Sequence, residues 1–273
     1  MRNFEIGVFQ DIDIDTYHQM PGLSSSGVKL ILDCPMRYFW QYHMTDTQSR
    51  IDKMNDPHSA ALRIGTALHT LVLEEYKFDS IFYTLEKKQK KAEIKHKHPA
   101  KVILNESEWK MVVGMHEGIS ENPLFDRIKN GKIEHSLFWE GGLFKTKLRS
   151  RPDVYDDEII IDIKTTKSIQ YFEREIFSNG YHRQAAMQQD AIHYFEAKRL
   201  PVVLFVVEKK EPYLTACFEL DDISIEKGRE EYLDAALTYT ECLKHNNWPG
   251  YDKKFKKVEL PRYMSLGDEE DDE

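Results

Sequence analysis

The sequence has few cysteines, no long hydrophobic run and no glycine-rich phosphate loop, and each absence excludes a class of protein. Its three cysteines, Cys34, Cys217 and Cys242, are too few and too far apart for a disulfide framework. They also cannot supply the four thiolates of an iron–sulfur cluster. No apolar run approaches the ~20 residues that span a bilayer, and the amino terminus does not resemble a signal peptide. We therefore expect a cytoplasmic protein with no membrane partner.

Acidic residues outnumber basic ones, which does not favour nucleic-acid binding by the chain as a whole. The formal net charge is −9, but the last six residues are all acidic, and without them it is −3. We expect residues 267–273 to form a disordered tail. Local charge decides nucleic-acid binding more than total charge does. Two basic groups stand out: the stretch from Lys87 to Lys101, and the set Lys145, Lys147, Arg149 and Arg151.

The order of predicted elements favours one mixed α/β domain. Capping residues and helical periodicity predict helices over about 25–43 (restarting at Pro35), 59–76, 106–119, 168–178, 181–198 and 222–245. Strands are predicted over about 132–140, 143–155, 158–166, 201–209 and 213–220. We expect residues 1–20 to be irregular apart from a short strand near residues 4–9, and the lysine-rich stretch to be mobile. This order does not fit a doubly wound sheet.

The most informative stretch carries two carboxylates and a lysine: Arg151-Pro152-Asp153, then Asp162-Ile163-Lys164. An acidic turn at residues 156–158 predicts a hairpin that brings Asp153 opposite the segment of Asp162. Residues two apart on a strand share a face, so Asp162 and Lys164 project together. Asp162 interrupts an apolar strand, where a carboxylate is unfavourable unless it is paired or binds a metal. Such a group can hold a divalent metal and position a water for phosphodiester hydrolysis.

An Asp-x-Lys alone more often marks a solvated strand face, but other segments accompany this one in a fixed order. They are Leu23 to Gly27 with Cys34-Pro35, Arg63 to His69, Tyr181 to Ala186, and Trp248 to Tyr263. Together they resemble the PD-(D/E)xK nucleases of the RecE (exonuclease VIII) and RecB type over about residues 20–265. The resemblance implies a restriction-endonuclease-like core with a central mixed sheet flanked by helices. It places a single nuclease domain over residues 1–266, with a helical part at about 20–130 and a catalytic core at about 131–245.

The resemblance implies a metal-dependent exonuclease that digests duplex DNA from its ends, 5′ to 3′. The remaining 3′ single strand would serve recombination through a single-strand annealing protein. Nucleases of this type act as ring-shaped homo-oligomers, so a trimer or tetramer is expected, in the cytoplasm of a bacterial or phage-infected cell. Two alternatives stay open. One is an endonuclease or single-strand nuclease of the same superfamily, and the other is a catalytically degenerate adaptor that binds DNA ends.

Roles for individual residues combine this chemistry with the resemblance. Asp153 and Asp162 would bind Mg²⁺ together with the backbone carbonyl of Ile163. Lys164 would orient the attacking water and offset charge at the phosphate, either as an ammonium or as a neutral amine with a lowered pKa. The resemblance makes His69 a ligand of a second ion, with Mn²⁺ able to substitute for Mg²⁺. It also places Gln184 at the water or the scissile phosphate. Gln188 stands where the group often has tyrosine, a role that Tyr181 or Tyr194 could take over.

Further candidates rest on charge and position. Glu134, on the strand before the hairpin, could add a carboxylate near the metals. Arg149 and Arg151 are two apart on the predicted strand of Asp153, so all three are expected on one side, where the arginines would contact phosphate. Salt bridges from these arginines to the turn acids or to Asp162 are the alternative. The candidate DNA contacts are Lys145, Lys147, Arg149, Arg151 and Tyr181. The lysine-rich stretch either contacts DNA or is a solvated loop.

Overall fold

The computed structural model describes residues 5–10, 12–44, 56, 59–87, 89–143, 145–255 and 257–260. Its helices are α1 (Ile14–Gln19), α2 (Ser25–Asp33), α3 (Pro35–Phe39), α4 (Ala60–Leu73), α5 (Phe78–Ile81), α6 (Lys91–Lys97), α7 (Glu106–Ser120), α8 (Phe125–Asn130), α9 (Phe172–Asn179), α10 (Tyr181–Glu196) and α11 (Asp222–His245). Its strands are β1 (Gly7–Phe9), β2 (Phe82–Thr84), β3 (Val102–Leu104), β4 (Lys132–Ile133), β5 (Ser136–Gly141), β6 (Thr146–Ser150), β7 (Val154–Tyr155), β8 (Ile160–Thr166), β9 (Val202–Glu208) and β10 (Thr215–Glu219).

A π-helical turn, Trp40–Met44, follows α3, and short 3₁₀ turns precede α5 and α9. Among the described residues, no helix is both long enough and apolar enough to cross a membrane. The predicted tail at residues 267–273 lies outside the described part of the chain. The single-domain organisation expected for residues 1–266 stays a prediction.

A five-stranded mixed sheet lies at the centre of the fold, in the order β10-β9-β8-β7-β4. Within it β8 and β9 pair in parallel, and the other neighbours pair antiparallel. β9 is buried along its whole length, as expected for an apolar strand covered on both faces. Parallel neighbours need a crossover, which α9 and α10 supply. The predicted mixed α/β fold, with a central mixed sheet flanked by helices, is confirmed.

The two faces of this sheet belong to two hydrophobic cores. Ile160 and Leu204 pack into the core that includes residues of α10 and α11. Ile163 packs into the core that includes residues of α4 and α7. Because side chains alternate along a strand, Asp162 and Lys164 lie on the same face as Ile160. The sheet therefore turns Asp162 and Lys164 toward helix α10.

The prediction of one continuous strand over residues 143–155 is wrong. β6 ends at Ser150 and pairs with β5 in a separate three-stranded sheet of order β1-β5-β6, whereas β7 begins at Val154 in the central sheet. Pro152 lies between the two strands and has no N–H to donate to a ladder. The chain crosses from one sheet to the other at this point. Asp153 therefore does not share a strand with Arg149, and the expected common side of these residues is not formed.

Helix starts agree with the predicted caps where the sequence shows a capping residue before a long helix. Ser24, Asn105 and Asp221 accept backbone N–H groups at the starts of α2, α7 and α11. Helix α1 was not predicted, although Asp13 caps it in the same way. Its six residues are too few for a helical periodicity to stand out from the sequence. The expectation of an irregular first twenty residues is therefore wrong over Ile14–Gln19.

Candidate active site

The β7–β8 hairpin brings the two predicted carboxylates together. Val154 pairs with Ile161, so Asp153, the residue before β7, lies beside the segment of Asp162. Asp153 Oδ2 accepts a hydrogen bond from the backbone N–H of Ile163 at 2.7 Å. Both carboxylates are buried, Asp162 completely. The predicted juxtaposition is present, and the sequence could show it because only eight residues separate the two motifs.

A second group of side chains meets Asp153 from the other side. His69, on α4, places Nδ1 3.5 Å from Asp153 Oδ1. Glu134 lies between β4 and β5 and donates its backbone N–H to the carbonyl of Asp153 at 3.0 Å. His69, Glu134 and Asp153 each offer one ligand atom, and these atoms lie within 4.8 Å of one another. One imidazole and two carboxylates at this spacing form a candidate metal centre.

Asp162 is held differently. Its Oδ1 accepts hydrogen bonds from Gln184 Nε2 at 2.8 Å and from Gln188 Nε2 at 2.7 Å. Its Oδ2 forms an ion pair with the ammonium of Lys164. The three-residue centre therefore does not include Asp162 in this arrangement. Metal ligation by Asp162 and by the carbonyl of Ile163 stays a prediction.

Gln184 and Gln188 are four residues apart on α10, so both project from one face of the helix toward Asp162. Gln184 also accepts a hydrogen bond from Lys164 Nζ at 3.0 Å, which closes a contact network of lysine, amide and carboxylate. Gln188 is 1% exposed. The sequence pointed to Gln188 only as a departure from the nuclease pattern. The structure shows it as a direct partner of Asp162.

Tyr181 lies beside the lysine. Lys164 Nζ is 4.7 Å from the centre of the Tyr181 ring, a cation–π distance. Tyr194, the other aromatic candidate for the missing tyrosine, is half exposed farther along α10. Of these two tyrosines, Tyr181 is therefore the one that can hold the lysine in place. Its predicted contact with DNA is a separate matter and stays a prediction.

The charges of the site depend strongly on one another. Burial would lower the pKa of His69, but the neighbouring Asp153 carboxylate raises it to about 9. Burial would raise the pKa of Asp153, yet His69 and then Lys164 hold it below its usual value. Burial and then Asp153 raise the pKa of Glu134. Burial raises the pKa of Asp162, and Lys164 offsets only part of this rise. A protonated His69 would therefore compete with a divalent cation for the Asp153 carboxylate.

The predicted phosphate-binding arginines are directed into the fold. Arg149 is buried and donates a hydrogen bond to the backbone carbonyl of Tyr17. Arg151 forms an ion pair with Glu134 and donates to the carbonyl of Ile12 at 2.8 Å. The alternative salt bridges from these arginines are not formed. The turn acids Asp156 and Glu158 pair with Arg127, Asp157 pairs with Lys198, and Asp162 pairs with Lys164.

Lys145 and Lys147, at the β5–β6 hairpin, are exposed. Contacts of these two lysines and of the two arginines with phosphate stay predictions. The burial of Arg149 argues against a phosphate contact by that residue.

A cavity of about 770 Å³ opens onto the candidate metal centre. Its wall includes His69, Glu134, Asp153 and Gln184, together with residues of α1 and the start of α2. Gly65, one turn before His69, lines the same cavity, and a Cβ atom added there would meet nothing within 4 Å. The candidate metal centre and Gln184 of the glutamine network therefore share one open cleft.

Comparison with known proteins identifies the fold and the family. The family model described as "PDDEXK-like domain of unknown function (DUF3799)" matches residues 24–260. The fold is similar to a crystal structure of a protein from Eubacterium rectale named "Putative exonuclease", with a TM-score of 0.61, 15% identity, and coverage of 94% of this chain and 99% of that chain. At this identity the similarity shows the fold alone. A comparison with curated proteins gives no match. With most of its length matched, the chain belongs to the PDDEXK-like family DUF3799.

Proposed function

We propose that the protein is a metal-dependent deoxyribonuclease. One observation carries this proposal: His69, Glu134 and Asp153 converge in a cleft directly beside the Asp162–Lys164–Gln184 network. A metal centre alone would fit many functions, and a buried ion pair alone would fit a structural role. Here a candidate cation site lies beside the fixed positive charge of Lys164. Together they could bind and polarise a phosphodiester.

The donor set fits a hard divalent cation such as Mg²⁺ or Mn²⁺. His69, Glu134 and Asp153 would hold it. Asp162 lies on the neighbouring strand of the β7–β8 hairpin and would add a ligand only if its present contacts rearranged. Magnesium keeps several waters and needs few protein ligands. When bound, such an ion lowers the pKa of a bound water and stabilises charge on the phosphate.

The side chains of the network have separable tasks. Burial would lower the pKa of Lys164, but Asp162 and then Asp153 raise it above its usual value. Lys164 is therefore an ammonium at neutral pH and acts as a positive charge toward the phosphate rather than as a base. Gln184 fixes this ammonium by accepting from it and fixes Asp162 by donating to it. The neutral-lysine alternative is thereby disfavoured.

The finer proposal is a 5′ to 3′ exonuclease that acts on duplex ends with two Mg²⁺ ions. The ordered motifs of the sequence support it, through their resemblance to RecE-type nucleases. A ring-shaped homo-oligomer, a single-strand annealing partner and a cytoplasmic location belong to the same proposal. Each is testable apart from the cleavage chemistry.

Digestion of a linear duplex, labelled at the 5′ end of either strand or at a 3′ end, tests the reaction and its direction together. The reaction is run with Mg²⁺ and then with EDTA, and a covalently closed circle is digested in parallel. We expect Mg²⁺-dependent release of 5′ nucleotides from the linear DNA and an intact circle. Cutting of the circle would make the protein an endonuclease. No cutting of either substrate would favour the DNA-end-binding adaptor.

A matched pair of variants assigns the activity to the site. Asp153→Asn removes one charge from the candidate metal centre, and Asp157→Asn removes one from the exposed hairpin turn. We expect the first to reduce cleavage by orders of magnitude while duplex binding survives, and the second to cleave normally. Retention of a tenth of the rate by Asp153→Asn would remove this residue from the chemistry.

A further inference from the structure

The lysine-rich stretch forms a defined structural unit rather than the mobile segment expected from its composition. Residues 86–101 contain seven lysines and two glutamates in a chain of net charge −9. β2 and β3 pair in parallel from Phe82 with Val102 to Thr84 with Leu104, and α6 connects them. Residues 82–104 are called the basic unit below; Lys88 lies outside the part of the chain that the structure describes.

The basic unit is fixed to the body of the protein. β3 is buried in full, and Ile94 anchors the inner side of α6. The His98 ring stacks on Tyr83 with centroids 4.9 Å apart. Lys101 donates to the carbonyl of Asp79 at 2.7 Å. These contacts attach the backbone of β3 and α6 to the body of the protein.

The lysines divide into an inner and an outer set. Lys91 is half-buried, and its pKa is lowered by burial and then by the neighbouring Arg63, so it faces the protein. Lys87, Lys90 and Lys97 are exposed. Lys90 has an exposed ion pair with Glu93 at 3.7 Å, and such a pair contributes little in water. The outer set therefore offers three ammonium groups to solvent.

The basic unit borders the cleft of the candidate active site. Ser80 and Ile81, just before the unit, and Ala100, within it, line the cavity that also contains His69 and Asp153. α6 has seven residues and is therefore about 10 Å long. Duplex DNA carries one negative charge per ~1.7 Å of its axis, so about six phosphates lie along that length. Because Ala100 lines the cleft, the basic unit is within reach of a duplex whose end enters it.

We propose that Lys87, Lys90 and Lys97 bind the phosphate backbone of duplex DNA beside the cleft; this inference rests on the proposed nuclease function. The contacts are independent of base sequence. The lysine ammonium is a point charge and lacks the planar guanidinium with which arginine makes two hydrogen bonds to one group. Contacts with phosphate set the position of the protein on the duplex and carry no sequence information. The surface holds the part of the duplex that has not yet been cut, which keeps the end in the cleft.

The triple variant Lys87→Gln/Lys90→Gln/Lys97→Gln tests this surface. Affinity for a fluorescent 25-base-pair duplex is measured in EDTA at several salt concentrations. Each lost phosphate contact reduces the magnitude of the slope of log affinity against log salt by about 0.9. For the triple variant we therefore expect this magnitude to fall by about 2 to 3. With Mg²⁺, the KM for duplex cleavage should rise while kcat stays within about threefold. The matching lysine-to-arginine triple variant should restore both values.

A control triple variant, Lys198→Gln/Lys227→Gln/Lys244→Gln, removes the same charge from exposed lysines elsewhere. An equal loss of slope in this control would overturn the proposal, because net charge alone would then explain the effect. If the Lys87/Lys90/Lys97 variant has the wild-type slope and still cleaves duplex, the proposed phosphate contacts are wrong and the nuclease function is unaffected. A wild-type protein that neither binds nor cuts duplex would overturn both, and binding of polyglutamate instead would indicate an acidic protein partner. Circular dichroism melting confirms that each variant is folded.

Discussion

Replacement of Gln188 by leucine tests whether the amide network serves catalysis. Gln188 is 1% exposed and donates Nε2 to Asp162 Oδ1 at 2.7 Å. Leucine has a similar volume, so the helix packing should survive while the hydrogen bond is lost. A hydrogen bond to a charged group contributes about 1.5–3 kcal/mol. If the whole contribution is lost from the transition state, kcat falls about 10- to 150-fold, since 1.36 kcal/mol is a factor of ten.

Initial rates of duplex cleavage across Mg²⁺ and DNA concentrations separate this effect from a loss of binding. We expect the loss in kcat and little change in the KM for DNA, because Gln188 is buried behind Asp162. Gln188→Tyr restores a donor at the position where the resembled nucleases often have tyrosine, and it should recover most of the rate. Cleavage by Gln188→Leu within twofold of wild type would refute the positioning role. An equal effect of the leucine and tyrosine variants would point to packing.

Three further predictions follow from the site and from the hairpin that forms it. Glu134→Gln should raise the Mg²⁺ concentration for half-maximal cleavage about tenfold or more, because a charged ligand is lost, and a metal titration measures this. Lys164→Gln should lower kcat by about 10²–10³ through the loss of a fixed positive charge, with duplex affinity within a few-fold in filter binding. Burial would raise the pKa of Asp156, but backbone N–H groups and Arg127 hold this pKa below its usual value. The ionised Asp156 carboxylate therefore stabilises the folded protein at pH values above its pKa in the unfolded chain. This stabilisation is lost as pH falls through its pKa in the folded protein. Asp156→Ala should therefore cost about 1 kcal/mol in urea unfolding at pH 7, after allowance for solvent screening, and close to nothing once the wild-type carboxyl is protonated.

The sequence predicted those parts of the site that local patterns determine. Asp153, Asp162 and Lys164 lie on one hairpin, and a two-residue spacing fixes which side chains share a face. Gln184 lies on α10, a helix that the sequence predicts over about residues 181–198. His69 became a candidate only through its motif, because no local pattern shows that α4 brings His69 next to Asp153.

Long-range packing determined what the sequence did not predict. Arg149 and Arg151 sit in a basic run that favours phosphate contacts, yet the chain changes sheets at Pro152 and turns both guanidinium groups toward the amino-terminal segment. Gln188 was only a departure from a pattern, since its partner Asp162 lies 26 residues away in sequence. A charge pattern gives the sign of a surface, but the partner of each charge depends on the fold.

Glu134, a candidate metal ligand, has an unfavourable backbone conformation. Its φ of 54° lies in the left-handed region, which is unfavourable by about 1–3 kcal/mol for a residue other than glycine. Two contacts hold it there: its N–H bonds the carbonyl of Asp153, and its carboxylate pairs with Arg151. Arg151 in turn binds the carbonyl of Ile12, a residue before the start of the family match at residue 24. The amino-terminal segment therefore supports the candidate metal centre through Arg151. If the centre binds a cation, loosening this segment should weaken cation binding before it disturbs Asp162.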